Sequence, residues 1–165
     1  MTYYPDLEPC GYFGGDYGRR LLCVGWLERD EHVPSGNAPP EFTSALKCLL
    51  VDPWQPFVFA GVHSCSFCKL SGGPAIFSGI GGDQIVLGQN NLFIPGDGLL
   101  YVAPSTIIHY IDSHDYLPPI EFIDAVLRCP RMRSIDYLKA IRKNAFPGLL
   151  KRFPTTEMDT LPQPQ

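Results

Sequence analysis

Apolar residues recur at helical spacing in four stretches of the chain. Phe42, Ala45, Leu46, Leu49 and Leu50 form one stripe, predicting a helix over 39–51. Asn37 can cap it, Pro39-Pro40 suits its first turn and Asp52-Pro53 stops it. Pro104 opens a second helix, over 105–115, whose Ile107, Ile111 and His114 share a face with Ile108 beside them. Pro118-Pro119 ends that helix and starts a third, over 119–128, carrying Ile120, Phe122, Ile123, Val126 and Leu127. Ser134 caps a fourth, over 135–144, with Ile135, Leu138 and Ile141 expected inward.

Shorter apolar runs read as strands: Leu21 to Leu27, Phe57 to Val62, Ala75 to Ser78, Gln84 to Leu87, and Leu99 to Val102. Gly79 to Gly82 reads as a flexible turn, and residues 1–20 as an irregular arm packed by its aromatics. Strands followed by helices predict an α+β fold: a small, mostly antiparallel sheet packed by about four helices. Residues 1–153 are expected to form one domain, with a body over 3–128 and a basic helical extension over 129–153. Residues 154–165, polar and rich in proline, are expected to be a disordered tail.

Composition sharpens this picture in two places. Glycine (16) and proline (17) are abundant enough to favour short elements joined by turns over a long bundle. Charge is uneven: residues 128–152 hold eight of the thirteen Lys and Arg residues and one acid, Asp136, whereas residues 1–127 hold five bases and fourteen acids. A basic segment against an acidic body reads first as a solvated helix face, and second as a dock for an anionic partner. No aromatic residues alternate with its bases, which argues against nucleic acid as a partner. No apolar run is long enough to span a bilayer, and Met1 to Asp6 lacks the features of a secretory signal, so a cytoplasmic protein is expected.

The candidate chemistry sits in Gly61-Val62-His63-Ser64-Cys65-Ser66-Phe67-Cys68 and in His109-Tyr110-Ile111-Asp112-Ser113-His114. A Cys-x-x-Cys turn can present both sulfurs to one zinc ion, which takes four thiolate or imidazole ligands in a tetrahedron. His63 stands two residues before Cys65, on the same side of an extended segment, and so is expected to join Cys65 and Cys68. The fourth ligand is expected from the second helix. His109 and His114 are five residues apart, about 140° around a helix, so one of them is favoured unless the helix ends early. His114, on the apolar face, is the first choice and His109 the second.

Two half-buried thiols beside a hydrogen-bonded histidine, or a redox pair, are the alternatives. Redox chemistry of the thioredoxin type needs a cysteine at a helix N-terminus, and Ser71-Gly72-Gly73-Pro74 leaves little room for one. A catalytic metal would need an open position and a nearby carboxylate, with Asp112, Asp115 and Glu121 as candidates. Neither His-Glu-x-x-His nor the nucleobase-deaminase pattern is present. The other four cysteines, Cys10, Cys23, Cys48 and Cys129, are expected to be buried free thiols.

The ordered set Pro5-Asp6-Leu7, Val24-Gly25-Trp26-Leu27, Gly61 to Cys68, Tyr101-Val102-Ala103-Pro104, His109-Tyr110 and His114-x-Tyr116-x-Pro118-Pro119-x-Glu121-Phe122 resembles a family of small uncharacterised bacterial proteins. The resemblance spans about residues 3–128 and implies a compact bacterial domain with a candidate metal site. It implies no activity. The chain departs from that pattern after Cys129, where it adds the basic segment and the tail. The leading expectation is a non-enzymatic domain, stabilised by structural zinc, whose partner is another protein; a toxin-neutralising immunity protein is one concrete form. The competing expectation is a zinc-dependent hydrolase or deaminase-like enzyme with an open metal site.

Overall fold

A computed structural model describes residues 2–13, 18–57, 61–68, 75–78, 82–146 and 149. A one-turn 3-10 helix, Gly18–Arg20, leads into β1 (Leu21–Cys23); α1 (Pro40–Leu50) follows, then β2 (Ile76–Ser78), β3 (Gln84–Val86), β4 (Asn91–Pro95) and β5 (Leu100–Pro104), and finally α2 (Ile107–His114), α3 (Ile120–Arg128) and α4 (Ile135–Asn144). β5 is central in a three-stranded sheet, with β1 parallel on one side and β4 antiparallel on the other. β2 and β3 form a separate antiparallel ribbon. The described residues thus form a single α+β domain with four helices, α1 to α4, and a mostly antiparallel mixed sheet.

Side-chain alternation along the three-stranded sheet sends successive residues to opposite faces, and both faces are covered. Leu22, Leu92, Ile94, Tyr101 and Ala103 face a core built with α1, α2 and α3. Leu21, Cys23, Phe93, Leu100 and Val102 face a second core made by the N-terminal arm, Trp26, Trp54, Phe57 and α4. This double burial explains why β4, Asn-Leu-Phe-Ile-Pro, was not foreseen. Its central residues are apolar without alternation, as in a strand buried on both faces.

The four helices fall where the periodicity put them, with differences in detail. Pro39, not Asn37, occupies the N-cap of α1, with Pro40 as the first helical residue. Ser134 does cap α4, accepting the Tyr137 N–H at 3.1 Å. The inward face of α4 differs from expectation. Tyr137, Ile141 and Asn144 are buried, at steps of four and three, while Ile135 is 41% exposed. The Tyr137 hydroxyl decides the rotation: it donates to the Phe93 carbonyl inside the second core at 2.8 Å.

The run from Leu21 to Leu27 is a strand only as far as Cys23; Gly25 turns to φ +74, with Ile107 packed on its Cα. Half of the expected strand at 57–62, most of the turn at 79–82 and all of the tail at 154–165 lie outside the described residues; Phe57, Gly61 and Val62, which are described, are not in a strand. The arm is held by its aromatics, with Tyr4 edge-on to Trp26 at 5.8 Å, and by Asp6, whose carboxylate accepts the Gly25 N–H and the Tyr116 hydroxyl, each at 2.8 Å. Among the four further cysteines, Cys10 and Cys23 are buried, Cys129 is half-buried and Cys48 is exposed, which corrects the expectation for Cys48.

Candidate metal centre

Two segments far apart in sequence build the site. The first is the loop 61–68, which has no regular secondary structure. Its backbone is tied to the body where the His63 N–H donates to the Gly88 carbonyl at 2.8 Å. Gly88 is needed there, since it adopts φ +78 and a Cβ would stand 2.4 Å from the His63 oxygen. Beyond His63 the Cys-x-x-Cys turn closes on itself, the Cys65 sulfur accepting the backbone N–H groups of Cys68 and Phe67. Phe67 lies against the Tyr110 and His114 rings.

The second segment is α2. His109 is buried in its first turn and His114 half-buried at its last residue. The helix ends there because Asp115 turns left-handed at φ +53, and the N–H groups of Asp115 and Tyr116 both return to the Tyr110 carbonyl. The helix thus runs through both histidines, and the expectation that their five-residue spacing excludes one of them is corrected: both imidazoles reach one point, with their Nε2 atoms 3.2 Å apart.

Cys65, Cys68, His109 and His114 form a Cys2His2 cluster whose ligand atoms all lie within 4.8 Å of one another. The His114 Nε2 stands 3.4 Å from the Cys65 sulfur, 3.5 Å from the Cys68 sulfur and 3.2 Å from the His109 Nε2. The His109 Nε2 stands 3.2 Å from the Cys68 sulfur. An imidazole nitrogen carries one proton or one lone pair, so His114 cannot satisfy three neighbours by hydrogen bonds. A cation at the centre satisfies all four. Zn–S and Zn–N bonds of ordinary length in a tetrahedron imply edges of about 3.5 Å for S···N and about 3.3 Å for N···N. The four edges among these atoms lie within about 0.3 Å of those values. The cluster is thus able to bind a metal ion.

Electrostatics favours the ligand form of the histidines. Burial lowers the pKa of His109, with the neighbouring His114 adding to the effect, and burial likewise lowers that of His114. Both imidazoles are therefore neutral at neutral pH, as metal ligands must be. Burial pushes the Cys65 thiol up, and a bound cation offsets that cost by pairing with the thiolate.

His63 is not brought into this group. Its Nε2 meets the Tyr12 hydroxyl at 2.8 Å, and its ring lies edge-on to Trp26 at 5.8 Å. The segment around it is not a strand, so the rule that residues two apart share a side does not apply. Sequence reasoning did not find Tyr12 as its partner; the two are 51 residues apart and no local pattern links them. Asp112, Asp115 and Glu121 are exposed and supply none of the four clustered ligand atoms.

Among the described residues, no helix is long and apolar enough to cross a membrane. No curated protein and no solved structure matches the chain. The family comparison does match: the profile of a domain of unknown function, DUF7919, covers residues 2–127, the stretch that carries both halves of the Cys2His2 cluster, and the chain belongs to that family.

Proposed function

We propose that this chain is a non-enzymatic binding domain whose Cys65, Cys68, His109 and His114 hold a structural zinc ion. The observation that carries the reading is the His114 Nε2 with three other ligand atoms within 3.5 Å. Two sulfurs and two imidazole nitrogens in a tetrahedron are a donor set that suits zinc. Four protein ligands complete its coordination and leave no position for a substrate or an activated water, which separates this site from a hydrolase or deaminase centre. The ion would join the irregular loop 61–68 to α2 and so add its binding energy to folding.

Zinc analysis of protein purified without added metal should find one equivalent. Less than a tenth would sink the reading. Cobalt in place of zinc should give the intense visible bands of a four-coordinate thiolate site; a five- or six-coordinate spectrum would favour the enzyme instead. Cys65→Ser or His114→Ala should each lower unfolding free energy by about 3 kcal/mol or more, measured by urea titration of zinc-loaded protein.

The partner in this reading is another protein, in the bacterial cytoplasm, and a toxin is one form it can take. The acidic body and the exposed Val62, Ile120 and Leu127 side chains support a protein contact. Reversing Arg142 and Lys143 tests the basic face as the dock: loss of a captured partner with unchanged melting would place it there, and retention would place the contact elsewhere.

A further inference from the structure

The four ligands are not equivalent, and the difference points to a modification site. The imidazoles are mounted on α2, which is packed into the core through Ile107, Ile108 and Tyr110. The sulfurs are mounted on a loop without regular structure. Within that loop, Cys65 is 3% exposed and holds two backbone N–H groups, whereas Cys68 is half-buried and the more exposed residue of the two. The two sulfurs lie within 4.8 Å of each other, on a two-residue spacing that a disulfide readily closes. A more exposed cysteine beside a buried second one is the arrangement of a redox-sensing cysteine and its resolving partner.

We infer that Cys68 is the site of attack by hydroperoxides and Cys65 its resolving thiolate, so that oxidation to a Cys65–Cys68 disulfide expels the metal and releases the loop 61–68 from α2. This inference rests on the structural-zinc reading and adds regulation to it. In the first step the Cys68 sulfur attacks a peroxide oxygen. An S–O bond forms, the O–O bond breaks, and the leaving oxygen takes a proton to depart as alcohol or water. In the second step the Cys65 sulfur attacks the Cys68 sulfur. The S–S bond forms, the S–O bond breaks, and hydroxide takes a second proton to leave as water. Two thiolates have lost two electrons, the peroxide has gained them, and two protons have been consumed. The cation then keeps only two neutral imidazoles, too few to retain it against water.

The test uses the full chain, with zinc content measured first, then a few equivalents of hydrogen peroxide and a chromogenic zinc chelator. Zinc release should quicken by about tenfold or more over the untreated protein. Non-reducing peptide mapping should show one Cys65–Cys68 disulfide per zinc released, and a thiol reductant with added zinc should restore the starting state. A brief exposure in the presence of dimedone should label Cys68 and spare Cys65. Because labelling is read on the unaltered chain, a variant that fails to fold does not cloud it; Cys65→Ser, where it folds, should accumulate the Cys68 label. Protein that arrives without zinc overturns the structural-zinc reading and this inference together. Protein that holds zinc but keeps it under peroxide, or takes its first label on Cys65, or passes to sulfinate without the disulfide, overturns the inference alone.

Discussion

Single residues set the limits of what this structure tolerates. Gly88 and Gly98 both adopt positive φ, +78 and +72, yet their surroundings differ. At Gly88 a methyl group would stand 2.4 Å from the His63 carbonyl oxygen, and backbone must move; at Gly98 nothing lies within 4 Å. Gly98→Ala should therefore cost about 1 kcal/mol, the left-handed penalty alone, and Gly88→Ala about 3 kcal/mol or more, as read by urea unfolding. Asp6 offers a pH test. Burial raises its pKa, against hydrogen bonds from Gly25 and Tyr116 that lower it. A carboxyl raised on folding binds its proton more tightly in the native state. Stability from this group is thus fullest below the ordinary carboxylate pKa of about 4 and falls as pH rises through the native value. Asp6→Asn keeps an acceptor for Gly25 and a partner for Tyr116. The stability difference between variant and parent should grow in the variant's favour as pH rises from about 4 toward neutrality. An unchanged difference would show that the carboxyl titrates alike in both states.

At the scale of an element, α4 shows how one buried contact overrides a stripe drawn from apolar residues. Ile135 and Ile141 look equivalent in the sequence, but Ile135 is 41% exposed and Ile141 fully buried. Ile141→Ala should cost about 2–4 kcal/mol by cavity formation, and Ile135→Ala less than about 1 kcal/mol. Tyr137→Phe, which strands the Phe93 carbonyl inside the second core, should cost about 1–2 kcal/mol. Arg142 and Lys143, exposed in the last turn, should tolerate reversal at less than about 1 kcal/mol. α2 is the complementary case. Its eight residues hold both histidines, about 140° apart in projection, yet the long side chains bring their Nε2 atoms to 3.2 Å of each other.

For the whole molecule, the covered sheet divides the chain into a face that the metal cluster reaches and a face that it does not. Cys65 packs in the core under α1, α2 and α3, while Tyr137 and Ile141 pack in the other. In the structural-zinc reading proposed above, removing the ion should therefore act unevenly. Hydrogen exchange after chelation should rise first in residues 61–68 and at the C-terminal turn of α2, and least in α4. Equal acceleration on both faces would show instead that the ion supports the global fold as one unit.

Much of this was written in local pattern. Helical periodicity placed four helices within a few residues, because an apolar stripe at that spacing has no other stable use. Turn chemistry at Ser134 and Pro118-Pro119 marked ends that depend on neighbours in the chain, whereas Pro104, expected to open the second helix, closes β5, and α2 begins at Ile107 after Thr106. Cys65 and Cys68 were legible as a pair for the same reason. What tertiary structure alone decided are the choices between partners distant in sequence: β4 buried on both faces, the rotation of α4 set by Tyr137 reaching Phe93, and His63 turned to Tyr12 rather than to the thiolates. The second imidazole belongs with these. Spacing could say only that His109 and His114 diverge around a helix; that both side chains nonetheless meet the Cys65 and Cys68 sulfurs is decided by how the loop 61–68 packs against α2. Such contacts are selected by packing and hydrogen bonding across the fold, and a one-dimensional pattern does not contain them.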